Sequence, residues 1–241
     1  MSCGSEGKSL PPTSAFAGDY GRADPALTAV LDDFGSGRAR LDQVVAVLAR
    51  SRVLVPVLAH EVPGGQVGEG GERESSTGVA ALSTPDGRTG LPVFSGTDAL
   101  SRWRADARPV PAAAARAAAS ALAEGWSLLV LDPAGPRTVL VPRPAVQALA
   151  AGLEWVPAVS DGVVRAEVAE AVVRAVQGVP HVRTITVEPG SRSDVAVVLG
   201  LAPGLDRAAL TAVLDAVNTR LAADPLVAQA DSLELRPVAA D

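Results

Sequence analysis

The sequence predicts an α+β protein of two small domains, each a mixed or antiparallel sheet packed with helices. Its 241 residues suffice for two domains of about 100 residues, a size at which a core can be stable alone. Apolar residues at helical spacing alternate with short β-branched runs bounded by Gly and Pro turns. In the second half the order is helix, strand, strand, helix, strand, which defines a small sheet covered by two helices.

The fold is expected to begin after an N-terminal tail. Residues 1–24 are rich in Gly, Ser and Pro and predict a disordered tail. Pro25 stands where a first helical residue is favoured, and Leu27 starts an apolar stripe of helical period. A second helix follows from Leu41. We expect the first domain over residues 25–152.

Short apolar runs predict the strands of the first domain, which are 53–59, 79–82, 89–94, 127–131 and 137–141. Pro56 cannot donate a ladder hydrogen bond, so an edge position or a bulge is expected there. The glycine-rich stretch 63–77 predicts a hairpin loop.

Three more helices complete the predicted first domain. Thr97 is the expected N-cap of a short helix that carries Trp103. The Ala-rich stretch 111–124 predicts a longer helix, and 144–149 the last one.

The second domain is expected over residues 161–238. Asp161 is the candidate cap of its first helix, and strands are predicted over 182–188 and 194–199. The strongest helical pattern begins at Asp206, and an alternating pattern near the C-terminus predicts a final strand. His181 falls on a predicted strand.

Composition excludes several classes of function. The net charge of −6 and pI near 5.0 disfavour nucleic-acid binding, because an acidic surface repels phosphates. Cys3 is the single cysteine, so no intramolecular disulfide is possible and a reducing cytoplasm is expected. Arg116 and Glu124 interrupt the longest apolar tract, so we expect no membrane association.

Motifs for catalysis and cofactor binding are incomplete. Gly7-Lys8-Ser9 resembles the end of a phosphate-binding loop, but Ser2 stands where the motif needs Gly and no strand is expected before it. His60 and His181 lack metal-ligand spacing. Ser95 lies at a strand-to-helix turn, as a nucleophile would, yet Val93 replaces the required Gly. No catalytic residue, metal or cofactor is therefore assigned.

The turn after the predicted strand 89–94 is the candidate binding region. A strand end next to a helix start is a common place for a ligand or partner surface. The candidate binding residues are Phe94, Ser95, Asp98, Trp103 and Asp132.

Four stretches, in this order, carry a family resemblance. They are Asp24-Pro25-Ala26-Leu27, Leu91-Pro92-Val93-Phe94-Ser95, Trp103, and Leu131-Asp132-Pro133-Ala134-Gly135-Pro136. Together they resemble the SseB family of enhanced serine sensitivity proteins, which have an N-terminal SseB domain and a smaller C-terminal domain. The resemblance extends from Phe16 to Val238, and Asp132 stands where the family commonly has Asn.

The resemblance implies a bacterial cytoplasmic protein with a link to serine sensitivity and no established reaction. Three hypotheses follow. The first is a non-enzymatic regulatory protein that binds a protein partner. The second is a sensor of a small polar metabolite such as an amino acid. The third is a hydrolase, which would need Ser95 beside His60 or His181.

Overall fold

The computed structural model describes residues 16, 18–61, 75–84 and 86–240, and the side chains of 59–61 and 75–79 are not among the described ones. The chain divides into two compact units, one up to Leu140 and one from Val141. The sequence-based domains were 25–152 and 161–238, so the helix expected at 144–149 belongs to the second unit in this division. Most of the expected loop at 63–77 lies outside the described residues.

Helices and strands alternate irregularly in the first unit. In chain order they are α1 (Pro25–Gly35), α2 (Leu41–Leu48), β1 (Arg52–Glu61), β2 (Ser75–Val79), β3 (Leu82–Ser83), β4 (Thr89–Val93), α3 (Thr97–Trp103), β5 (Arg108–Ala113), α4 (Ala114–Ala123), β6 (Leu128–Leu131) and β7 (Val139–Val141), whose last residue is the first of the second unit.

The second unit follows with α5 (Arg143–Ala151), β8 (Val159–Ser160), β9 (Val163–Val164), α6 (Ala166–Val176), β10 (Val182–Pro189), β11 (Val195–Leu201), α7 (Arg207–Ala223) and β12 (Leu233–Ala239). A short 3₁₀ turn, Val227–Gln229, precedes β12. Mixed and antiparallel sheets packed with helices confirm the α+β class. Among the described helices, none combines the length and apolar character that crossing a bilayer requires.

The first helix forms as its sequence predicts. The carboxylate of Asp24 accepts hydrogen bonds from the N–H groups of Ala26 at 2.8 Å and Leu27 at 3.4 Å, so it satisfies donors that a helix start leaves free. Pro25 occupies the first turn, where its missing N–H costs nothing. Leu27 and Leu31 are buried, which confirms the predicted apolar face.

Strand β1 lies in the middle of an antiparallel sheet of order β2-β1-β5. The N–H groups of Leu54 and Phe94 each donate to the other's carbonyl, at 2.8 and 2.9 Å, which joins this sheet to the end of β4. Two residues after Leu54, the nitrogen of Pro56 faces the same side, between the contact with Phe94 and Val57, which pairs with Val79 at the end of β2. Neither the expected edge nor the expected bulge is present, because β1 is a central strand and its pairing with β5 runs through Pro56 without a register shift. The missing N–H is tolerated because β2 has no residue paired with Pro56 on the other side.

Strand β5 replaces the first part of a predicted helix. Residues 111–124 read as helical because Ala dominates them, but Arg108–Ala113 is extended and pairs with Arg52–Val57 of β1. The helix α4 starts only at Ala114. Pairing with a buried neighbouring strand overrides the weak local helix propensity of these residues.

The second sheet of the first unit has the order β3-β4-β6-β7. Its central strands β4 and β6 are parallel, with Gly90 opposite Leu128 and Val93 opposite Leu131. The strand expected at 79–82 is split, since β2 ends at Val79 and β3 begins at Leu82. Parallel pairing brings the carboxyl ends of β4 and β6 to one edge, where the candidate site lies.

The second unit contains a sheet of order β10-β11-β12, covered by α6 and α7. Two expectations were wrong here. Asp161 does not cap α6, because it lies in the β8–β9 turn with a φ of 52° and α6 follows Arg165. His181 lies in a turn before β10 with a φ of 67°. Asp206 caps α7, accepting from Ala209 N–H at 2.8 Å.

Candidate ligand-binding site

Ser95 and Asp132 meet at the carboxyl ends of β4 and β6. The backbone N–H of Ser95 donates to Oδ1 of Asp132 at 2.8 Å, and its hydroxyl donates to Oδ2 at 2.7 Å. Both residues are 8% exposed. A buried carboxylate that accepts two hydrogen bonds on its two oxygens is fixed in position.

The backbone around Asp132 holds this carboxylate in place. Its N–H donates to the carbonyl of Val93 at 2.9 Å, and its own carbonyl accepts from Gly135 N–H at 3.1 Å and Thr138 Oγ1 at 3.0 Å. The φ of Asp132 is 50°, in the left-handed region that Asp and Asn tolerate better than most residues. The turn therefore restricts which residue can occupy position 132.

The Asp132 carboxyl has a shifted pKa. Burial raises this pKa above its ordinary value of 3.8, and the hydrogen bonds from Ser95 and the positive charge of Arg102 oppose the rise. Because burial is the largest of these effects, the site favours the neutral acid more than water does.

A cleft opens above this pair, with a volume of about 510 Å³. We call it the Ser95 cleft. Its lining mixes polar and apolar surface and carries both signs of charge. The charged residues are Arg22, Asp32, Asp98, Arg102, Asp132 and Arg137.

Some charged residues of the Ser95 cleft form ion pairs and others do not. Arg137 and Asp32 form an ion pair. Arg22, Asp98 and Arg102 have no ion-pair partner among the residues that the structure describes. All three are exposed, so their charged groups are available to a ligand.

We call residues 19–23 the strap, and its residues 20–23 form one wall of the cleft. Arg52 holds the strap: its Nε lies 2.5 Å from Asp19 Oδ2, and its terminal nitrogens donate to Arg22 O at 2.6 Å and Ser95 O at 3.1 Å. The Arg52 and Asp19 side chains are only 15% and 17% exposed. These residues belong to the predicted tail 1–24, whose residues 1–15 and 17 are outside the description.

The strap also contacts the start of α3 through its backbone. Thr97 N–H donates to Gly21 O at 2.8 Å. A Cβ added to Gly96 would lie 2.8 Å from Ala23 N and 3.0 Å from Gly21 O, so this approach needs Gly. Gly96, not Thr97, is the N-cap residue of α3, and Thr97 is the first residue of the helix.

The structure brings together three of the five candidate binding residues. Ser95, Asp98 and Asp132 line the Ser95 cleft. Phe94 is fully buried, and its ring packs 5.3 Å from that of Trp103 in the core beneath. Both aromatic residues therefore support the site from below.

Sequence reasoning missed the arginines of the cleft. Arg22 lies in the predicted tail, and Arg137 comes close to Asp32 only in the folded chain. Arg102 could have been predicted, since it follows Asp98 by four residues and a helix places such residues on one face.

The arrangement does not complete a metal or triad site in the described part of the chain. No group of three or more His, Cys, Asp or Glu residues there could hold a metal ion, and the described lining of the cleft contains no histidine. His181 lies in the second unit, and the side chain of His60 is outside the description. The hydroxyl of Ser95 is hydrogen-bonded to the carboxylate of Asp132 and not to a histidine.

The fold and the site define an α+β protein whose first unit carries a polar cleft at the ends of two parallel strands. A family model described as SseB protein N-terminal domain matches residues 27–148. The chain therefore belongs to the SseB family, which confirms the resemblance. Searches of curated proteins and of solved structures found no match. The family model ends at residue 148, so a family C-terminal domain over 161–238 stays a prediction.

Proposed function

We propose that this SseB-family protein is a non-enzymatic regulatory protein that binds a small polar metabolite in the Ser95 cleft. The observation that carries the proposal is the buried Ser95–Asp132 pair at the floor of a concave site whose lining carries charges of both signs. Such sites fix a ligand through a few well-placed polar groups. A role in the bacterial cytoplasm, with a link to serine metabolism, is part of the same proposal.

The volume and the preformed walls of the cleft support a small ligand over a protein partner. About 510 Å³ falls within the range of small-molecule sites. Arg52 holds the strap through side-chain and backbone contacts, so little ordering is needed on binding. A preformed site keeps affinity that a mobile one would lose to entropy.

The hydrolase hypothesis has weaker support from the geometry. A serine nucleophile needs a base that takes its proton near neutral pH, and histidine normally supplies it. Here the hydroxyl of Ser95 donates to Asp132. Even with the raised pKa of Asp132, a carboxylate is a poor acceptor for a serine proton, so the pair is better suited to binding.

A thermal-shift screen of polar metabolites, followed by calorimetry on each hit, tests the proposal. A ligand that binds the folded state raises the melting temperature once its concentration exceeds its dissociation constant. The screen should include serine, the other amino acids, and hydroxy and keto acids. We expect saturable binding that Ser95→Ala weakens about tenfold or more.

Ser101→Ala is the matched control, because Ser101 is exposed on α3 and is not part of the lining. Its affinity for the same ligand should equal that of the unsubstituted protein. A flat thermal response across the whole panel at millimolar concentrations would contradict the proposed function, as would binding that Ser95→Ala leaves unchanged.

A further inference from the structure

We propose that the ligand of the Ser95 cleft is a zwitterion with an amino group and a carboxylate close together, as in an α-amino acid. Its carboxylate would bind Arg102, and its ammonium group would bind Asp98. This inference rests on the proposed function and names the chemical class of the ligand.

Asp98 and Arg102 lie one helical turn apart on α3. Residues four apart are neighbours on a helix surface, with Cβ atoms about 5–6 Å apart. Both side chains are exposed and line the cleft. Neither has an ion-pair partner among the described residues. Asp98 and Arg102 thus present an anion and a cation, neither ion-paired with a described residue, at a spacing that a single small ligand can bridge.

The remaining charges disfavour a ligand that carries one sign of charge alone. A simple anion attracted by Arg102 would also meet Asp98, and a simple cation attracted by Asp98 would meet Arg22 and Arg102. Arg137 is already paired with Asp32, so it adds little net field. Binding sites select ligands whose charge distribution complements their own, and a zwitterion satisfies both signs.

The floor of the cleft adds hydrogen-bonding capacity beside these charges. Ser95 and Asp132 bind each other, yet each oxygen keeps a lone pair that the other does not use. Tyr20, 88% exposed on the strap, lines the same cleft. A ligand held at its two charged groups would therefore place its side chain among polar groups and one aromatic ring.

Three forms of one ligand test the inference by calorimetry. The proteinogenic L-amino acids are titrated first, and the tightest is compared with its carboxamide and its N-acetyl derivative. The amide lacks the carboxylate, and the acetyl derivative lacks the ammonium charge. We expect each derivative to bind about tenfold or more weakly than the free amino acid, as loss of a charged hydrogen bond does.

Two substitutions assign the groups. Arg102→Gln should weaken the free amino acid about tenfold and leave the amide unchanged, since the amide has no carboxylate to lose. Asp98→Asn should likewise weaken binding of the free amino acid about tenfold and leave binding of the N-acetyl form unchanged, since that form has no ammonium group to lose. Arg108→Gln and Asp215→Asn, exposed residues outside the lining, are the matched controls and should bind like the unsubstituted protein.

The outcomes separate this inference from the proposed function. If a hydroxy or keto acid binds at the cleft and no amino acid does, the inference fails and the proposed function stands. If all three forms bind within about twofold of each other, or if Arg102→Gln behaves like Arg108→Gln, the charge assignment is overturned. If nothing in the panel binds, both fail.

Discussion

The hydroxyl of Ser95 lies 2.7 Å from Oδ2 of Asp132, and its backbone N–H lies 2.8 Å from Oδ1, although 37 positions separate the two residues in the chain. Parallel pairing of β4 with β6 places the two strand ends side by side. The two hydrogen bonds connect the carboxyl end of β4 to the carboxyl end of β6, and both residues are buried. Loss of either partner leaves a buried polar group unsatisfied.

Ser95→Ala should lower the free energy of unfolding by about 1–3 kcal/mol, because Oδ2 of Asp132 loses its hydroxyl donor in a buried site. Denaturant unfolding measures the change. Ser101→Ala, at an exposed position of α3, should change stability by less than about 0.5 kcal/mol. Equal unfolding midpoints for the two variants would contradict the importance of this hydrogen bond.

Asp132→Asn should raise the melting temperature near neutral pH. Burial raises the pKa of Asp132, so folding favours the neutral acid. Its contribution to stability is fully present below the unfolded pKa and is lost as pH rises through the higher folded pKa. Asn stays neutral, still accepts from Ser95 N–H, and tolerates a positive φ.

The advantage of Asp132→Asn should therefore shrink as pH falls from about 7 to about 4. Melting curves across this range check it, with Asp215→Asn, an exposed position on α7, as the control. An advantage that grows on acidification would show that the hydrogen bonds from Ser95 outweigh burial.

Arg52→Gln should release the strap. The change removes the ion pair with Asp19 and the bond to Arg22 O, at an expected loss of about 1–3 kcal/mol in unfolding free energy. Hydrogen exchange should accelerate at Thr97 N–H, which donates to Gly21 O. Arg108→Gln, exposed on β5, is the control. Unchanged exchange at Thr97 in Arg52→Gln would argue against a role of Arg52 in holding the strap.

Gly96→Ala should separate the strap from α3, because the new Cβ would lie 2.8 Å from Ala23 N and 3.0 Å from Gly21 O. Both are backbone atoms that cannot move independently. We expect a loss of about 1–3 kcal/mol by denaturant unfolding. At Gly35 the three atoms nearest to an added Cβ all belong to the flexible side chain of Arg137, so Gly35→Ala should be better tolerated. Similar losses in both would contradict the tight approach at Gly96.

Local patterns predicted those parts of the fold that local forces determine. The cap at Asp24 and the stripe through Leu27 define α1 within one short stretch, and the helix expected from Asp206 is present as α7. Arg108–Ala113 escaped prediction because its conformation depends on β1, more than 50 residues earlier in the chain. Pairing over that distance leaves no local pattern to read.

The candidate site was predictable to a similar degree. Ser95 and Asp98 stand at a strand-to-helix turn that the sequence displays, and both line the cleft. The ion pair between Asp19 and Arg52 joins residues 33 positions apart in the chain, and only the assembled fold brings these residues together. Phe94 and Trp103 were proposed for binding because they flank the same strand-to-helix turn, whereas in the structure their rings pack against each other.

The strap is attached through the Asp19 side chain and through the carbonyls of Gly21 and Arg22. None of these attachments uses the side chain of Tyr20 or Arg22, although both residues line the cleft. Replacing those two side chains would therefore alter what the wall recognises without disturbing its anchorage. Positions 20 and 22 are natural targets for a library that seeks new selectivity on this scaffold.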